Sequence, residues 1–184
     1  MTELEECAGQ IVRIREDCDK LVAGLSEAQF NWQPSASGWS IGQCLEHLNR
    51  VGEFYEPHLE RSIREARSRG LLSGGPFHYG WLGRYFVRLS EPPPKNRFPA
   101  PGRFVPQSHV PMESTVRGFL DLQNRLTAIL RHAEGVDLER AKVRTAIAAW
   151  LRISLGSTFA LIAAHERRHL WQAWRVRGDA RFPA

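Results

Sequence analysis

The chain has 184 residues, 42% of them hydrophobic and 24% charged, ordinary proportions for one globular domain (residues 1–184) with a sizeable core. Its net charge of +5 comes from 22 arginines and three lysines against 20 acidic residues, scattered rather than blocked, and no nucleic-acid-binding motif accompanies it. Three cysteines without CxxC spacing argue against a secreted disulfide framework, and no apolar run approaches the roughly 20 residues that span a bilayer. With an acidic N-terminus that lacks signal-peptide order, the reading is a cytoplasmic protein with no membrane and no nucleic-acid partner.

Glu3 to Leu25 reads as an amphipathic helix, with Leu4, Ala8, Ile11, Cys18, Leu21, Val22 and Leu25 on one side. Ser26 to Gly38, holding Pro34, Ser35, Ser37 and Gly38, reads as a connection. Ser40 followed three residues later by Gln43 is a capping box, and Trp39 just outside it can staple against Cys44. The helix that starts there places Ile41, Leu45, Leu48, Tyr55 and Leu59 on its core side, with His47 beside them. Pro57 predicts a kink rather than an end, because Leu59, Ile63 and Ala66 continue the pattern.

Gly70 to Val110 is rich in proline and glycine and, at about 40 residues, too long for an ordinary connection; a lid or binding loop is the expectation. Tyr79 to Leu89, aromatic-rich, is a short helix within it. Pro111 suits the first turn of a third long helix that Gly135 closes. Val136 to Ser154 then forms a shorter connection in which Trp150, Leu151 and Ile153 cover one end of the core. Leu155 to Arg177 is the last helix. Four amphipathic helices without an alternating strand pattern predict an all-α, up-down four-helix bundle with a long Pro/Gly-rich connection between helices two and three.

The last helix carries the chemistry. Leu155, Thr158, Ile162, His165, His169, Gln172 and Val176 step by three and four, so two imidazoles and an amide occupy the middle of a core-facing stripe. Buried imidazoles need partners. Side chains four residues apart share a helix face, and two imidazole nitrogens can converge on one metal ion at about 2.0–2.1 Å each. A core histidine pair hydrogen-bonded to neighbours is the plainer alternative.

His165-Glu166-Arg167-Arg168-His169 literally matches HExxH, the zinc-protease helix in which the glutamate is a general base. The rest of that pattern is missing. Gln172 and Arg175 stand where the extended motif wants glycine and histidine, and the fifteen residues after His169 hold neither Glu nor His. A zinc protease is therefore the weakest alternative, and Glu166 reads as a helix-flank carboxylate near arginines. Glu46 reads in the same way.

A third ligand must come from upstream, where His47, His58, His78, His109 and His132 are candidates and Cys44 a thiolate option. In an up-down bundle helices two and four run the same way. At about 1.5 Å per residue His47 then lies roughly 10 Å into its helix and His58 about 27 Å, bracketing the roughly 15–21 Å of His165 and His169. Depth alone leaves the choice open, with the well-capped His47 modestly favoured.

Gly38-Trp39-Ser40-Ile41-Gly42-Gln43-Cys44-Leu45-Glu46-His47-Leu48 resembles the opening of helix two in the DinB-like (YfiT-like) superfamily of four-helix proteins, and His165 to Gln172 resembles its HxxxHxxQ ending. Together the motifs frame nearly the whole chain. The resemblance implies a divalent metal ion, zinc or nickel in the first place, held by His47, His165 and His169 with a position left open. It also implies frequent homodimers. Relatives include transferases and isomerases that use a low-molecular-weight thiol. The expected function is thus a metal-dependent transferase or hydrolase acting on a small-molecule substrate. Gln172 and Glu166 are candidate supports behind the ligands. The rival reading is a non-catalytic, metal-stabilised or stress-related binding protein.

Overall fold

The computed structural model describes residues 2–94, 99–146, 148 and 150–184. In chain order the elements are α1 (Glu3–Val22), α2 (Glu27–Phe30), α3 (Ile41–Ser68), α4 (Trp81–Ser90), a 3-10 turn (Gly102–Phe104), α5 (Met112–His132), β1 (Lys142–Arg144), β2 (Arg152–Ser154) and α6 (Leu155–Arg177). The long helices begin where local chemistry tells them to. Thr2 with Glu5 and Ser40 with Gln43 form capping boxes, and the Ser154 hydroxyl accepts from the main-chain N–H of Ser157 at the head of α6. Pro57 sits inside α3, which runs on to Ser68.

Contacts between helices give each its direction. Asn49 donates to the Thr115 carbonyl (3.0 Å), Arg125 to Glu56 (2.7 Å) and Arg67 to the His132 carbonyl (3.0 Å), so residue numbers in α3 and α5 rise together. The same holds for α1 and α6, where Arg167 donates to Gln10 (2.7 Å), Trp174 to Asp17 (2.9 Å) and Arg177 to the Lys20 carbonyl (3.2 Å). The start of α3 (Ile41, Cys44, Leu45) packs with the end of α6 (Leu170, Ala173, Val176), and its end (Leu59, Ile63) with the start of α6 (Leu155, Phe159). These two helices are therefore antiparallel.

The helices run up, down, down, up, which corrects the alternating up-down order expected from sequence. A parallel step from α3 to α5 obliges the chain to travel back along the bundle. For the 28 residues of α3 that return is about 40 Å at 1.5 Å per residue. The length of the 70–110 connection follows from this crossover. Within it α4 lies on the start of α6, where Gly83 faces Ser157 and Gly156 faces Tyr79. A Cβ on Gly156 would lie 2.0 Å from the Tyr79 hydroxyl oxygen, so only glycine permits this approach.

Three further expectations change. The fold is mostly helical rather than all-α, because Lys142–Arg144 and Arg152–Ser154 pair as an antiparallel hairpin with Val143 opposite Ile153, both buried. Three-residue strands are too short to declare an alternating pattern. Ser26 and Gln29 make a third capping box, so the first connection contains α2, which seats a fully buried Phe30. Trp150 does not cover the core: it is 83% exposed, while Ile153 and the half-buried Leu151 face inward. No helix among the described residues is long and apolar enough to cross a membrane.

Candidate metal centre

The antiparallel contact between α3 and α6 brings three imidazoles together. Nε2 of His165 lies 3.3 Å from Nε2 of His47 and 3.2 Å from Nε2 of His169. One ligand atom from each residue falls within 4.8 Å of the others. His47 and His169 are buried, whereas His165 is half-buried. The other sequence candidates are elsewhere. His58 is turned to the Phe54 carbonyl (2.7 Å) and stacks on the Phe54 ring. Among the described residues, His78, His109 and His132 join no such cluster. Cys44 is fully buried in the apolar core, and burial pushes its thiol up, away from the thiolate a metal needs.

Proton placement around the rings is constrained. A carbonyl only accepts, so the 2.8 Å contact of His47 Nδ1 with the Phe104 carbonyl puts the His47 proton on Nδ1 and leaves Nε2 a lone pair. If His169 donates from Nε2 to His165, then His165 and His47 meet lone pair to lone pair at 3.3 Å. If His165 donates from Nε2 instead, His169 carries its proton on Nδ1, a buried atom with no hydrogen-bond partner. Either distribution of one proton per ring leaves an unfavourable contact. A shared cation removes it. Tetrahedral ligands at about 2.0–2.1 Å from zinc lie about 3.3–3.4 Å apart, close to the observed nitrogen separations.

Burial lowers all three imidazoles below their usual pKa. For His47 desolvation leads, opposed by the Phe104 hydrogen bond. His165 drops to about 3 through desolvation, then the charges of His47 and Arg168. His169 falls by desolvation first, then through its two histidine neighbours and Arg168; the Gln172 amide beside it pulls the other way without reaching hydrogen-bonding geometry at Nδ1. All three rings are neutral at pH 7, the form in which imidazole binds metals.

Aromatic side chains close two sides. The Trp39 ring stacks on His169 (centroids 5.6 Å apart) and leans on His47 (4.9 Å), so its place is at the imidazoles. Phe104 meets the His47 ring edge-on. Neither role could be read from sequence: Phe104 acts through its carbonyl, which any residue carries, and Trp39 looked like a helix staple. Glu166 is not a solvated flank. It is 2% exposed, accepts from Gln123 of α5 (3.0 Å), and burial pushes its carboxyl pKa up to about 7. It meets Gln123 rather than an imidazole, because one residue along a helix turns the side chain by about 100°. Glu46 is ion-paired with Arg50 at 2.8 Å.

A mostly helical bundle with three histidines converging between its second and last long helices defines the class of protein. The chain belongs to the DinB superfamily, whose family model matches residues 10–173. It is similar over 94% of its length, and 85% of the other chain, to the solved structure of YfiT from Bacillus subtilis, with a TM-score of 0.60 and 12% identity. That protein is described as a probable metal-dependent hydrolase with an unusual four-helix bundle topology. It is also 23% identical over 161 residues to the uncharacterized protein YuaE of Bacillus subtilis (strain 168), covering 84% of this chain and 86% of the relative.

Proposed function

We propose that His47, His165 and His169 hold one divalent metal ion, zinc or nickel, and that the protein is a metal-dependent hydrolase acting on a small molecule. The observation that carries this reading is the meeting of three Nε2 atoms at 3.2 and 3.3 Å, an arrangement that protons alone do not satisfy. The description of YfiT as a probable metal-dependent hydrolase points the same way. A divalent ion held by three neutral imidazoles supplies Lewis acidity toward a small oxygen-bearing ligand.

The chain's own residues prepare the centre. The Phe104 carbonyl orients His47 and keeps its Nε2 unprotonated. The Trp39 ring covers His169 and leans on His47, holding both imidazoles in place. Metal analysis of protein purified without a histidine tag is the test. About one equivalent is expected for a single three-ligand site, lost in His47→Ala and in His165→Ala. Metal retained at full occupancy by both variants would overturn the reading. Turnover of a panel of small esters and amides by the loaded protein, abolished in the same variants, is the expected activity.

A further inference from the structure

We infer that Gln43 and Arg50 are positioning residues of this centre. They hold residues 104–110 against α3 as a strap, which keeps the His47 proton on Nδ1 and its Nε2 open to an ion. For the ion the inference rests on the metal-dependent reading above; the proton placement belongs to the metal-free protein as well. Gln43, His47 and Arg50 step by four and three, so they share one face of α3. Each meets a main-chain carbonyl of the strap. Gln43 Nε2 donates to Gln107 (3.1 Å), His47 Nδ1 to Phe104 (2.8 Å) and Arg50 Nη1 to Val105 (3.0 Å). At the far end the Asn31 amide exchanges two bonds with the main chain of Val110, donating at 3.0 Å and accepting at 2.9 Å.

Side chains are what fix this segment. Among the described residues, main-chain to main-chain hydrogen bonds of 104–110 reach only Pro101 and Gly102, within the same turn. Phe104, Pro106 and Val110 are buried, but apolar packing is non-directional and does not aim a carbonyl. The α3 donors do. The Ser40 N–H can only donate, so Gln43 turns Oε1 to it (3.0 Å) and Nε2 is left for the strap. Arg50 is steadied by Glu46 at 2.8 Å. Their hold matters because His47 has a rival arrangement. With its proton on Nε2 it would donate across 3.3 Å to His165, and its lone pair there would be lost to a metal. The Phe104 carbonyl opposes that arrangement, since it would then face the Nδ1 lone pair. A seated strap with a metal-ready His47 is therefore one state, and a loosened strap with the proton between the imidazoles is the other.

Two variants loosen the strap without replacing an imidazole. Gln43→Glu keeps the acceptor that caps α3 but sets a second oxygen against the Gln107 carbonyl. Arg50→Met keeps an apolar stem and removes the donor to Val105. Long-range proton–nitrogen correlation spectra of the metal-free protein at pH 7 read the His47 tautomer, a signature that lost stability alone does not move. The wild type is expected in the Nδ1–H form. Both variants should populate the Nε2–H form and exchange the amides of 104–110 faster. Cobalt(II) uptake, followed by visible absorption, should weaken about 3–10-fold in each variant, the loss expected for one hydrogen bond. A wild type that takes up no cobalt would sink the metal reading, and the tautomer would still decide the inference. A wild type in the Nε2–H form, or a folded variant that keeps His47 wholly in the Nδ1–H form, would overturn it. The variants act at different carbonyls, so either decides should the other fail to fold.

Discussion

Nδ1 of His47 donates to the main-chain carbonyl of Phe104 at 2.8 Å, tying α3 to a turn 57 residues further along the chain. The turn that orients the ring is itself held by the buried Phe104 side chain, which belongs to the same apolar cluster as Tyr55 and Leu59. Phe104→Ala should therefore weaken metal binding by about 10–100-fold without altering a ligand, the usual effect of losing a partner behind a ligand. Competition with a chromophoric chelator measures it. An unchanged affinity would mean that the turn keeps its place without the ring.

An ion that binds only the folded state stabilises it in proportion to its affinity. At a free metal concentration about a thousand times Kd the contribution is about 4 kcal/mol. Chelation should consequently lower the Tm of the wild type by several degrees and leave that of His165→Ala unchanged. A wild type that loses its metal with no change in Tm would show that the ion does not stabilise the fold, and would remove the metal-stabilised, non-catalytic reading.

The histidines also set a pH window for the metal-free protein. His165 is lowered from 6.5 to about 3, so above pH 6.5 it is neutral in both folded and unfolded chains and contributes nothing. Below pH 6.5 the unfolded chain takes up a proton that the folded one refuses, and stability falls as the pH drops toward 3. Urea unfolding of chelator-treated protein at pH 5 and pH 7 should show this loss, reduced in His165→Ala. Equal dependence in the two proteins would place the titrating group elsewhere.

How much of this could be read in advance varies by element. Capping chemistry is local, so Ser40 with Gln43 announces α3, and the 3.6-residue repeat outlines all four long helices. His165 and His169 share a face because they are four residues apart. Helix direction is not local. An alternating bundle would run the second and fourth long helices the same way, whereas α3 and α6 are antiparallel, so His47 near the head of α3 meets His169 in the second half of α6. Family resemblance rather than spacing singles out His47, and the length of the 70–110 connection does not by itself announce the parallel step from α3 to α5. Glu166 is no solvated flank for a related reason: its carboxylate lies inside the bundle, where it accepts from Gln123 of α5.

Glu166 offers the clearest separation of a helix-packing group from a catalytic one. Its carboxyl is raised from 4.5 to about 7 by burial, with one oxygen accepting from Gln123 and the other without a partner. Between those values the folded chain holds a proton that the unfolded chain has released, so stability falls as the pH rises from 4.5 through 7. The full cost is about 3 kcal/mol at about 1.4 kcal/mol per pKa unit. Glu166→Gln removes that cost, and its amide can donate to Oε1 of Gln123, which also has no partner. The variant should match the wild type near pH 4.5 and exceed it by 1–3 kcal/mol (about one to two pKa units) at pH 8 in urea unfolding. Its metal content should be unchanged. A general base of an HExxH protease would behave differently, losing turnover with no gain at high pH. A variant less stable than wild type at pH 8 would show that the ionised carboxylate is satisfied in the folded chain after all.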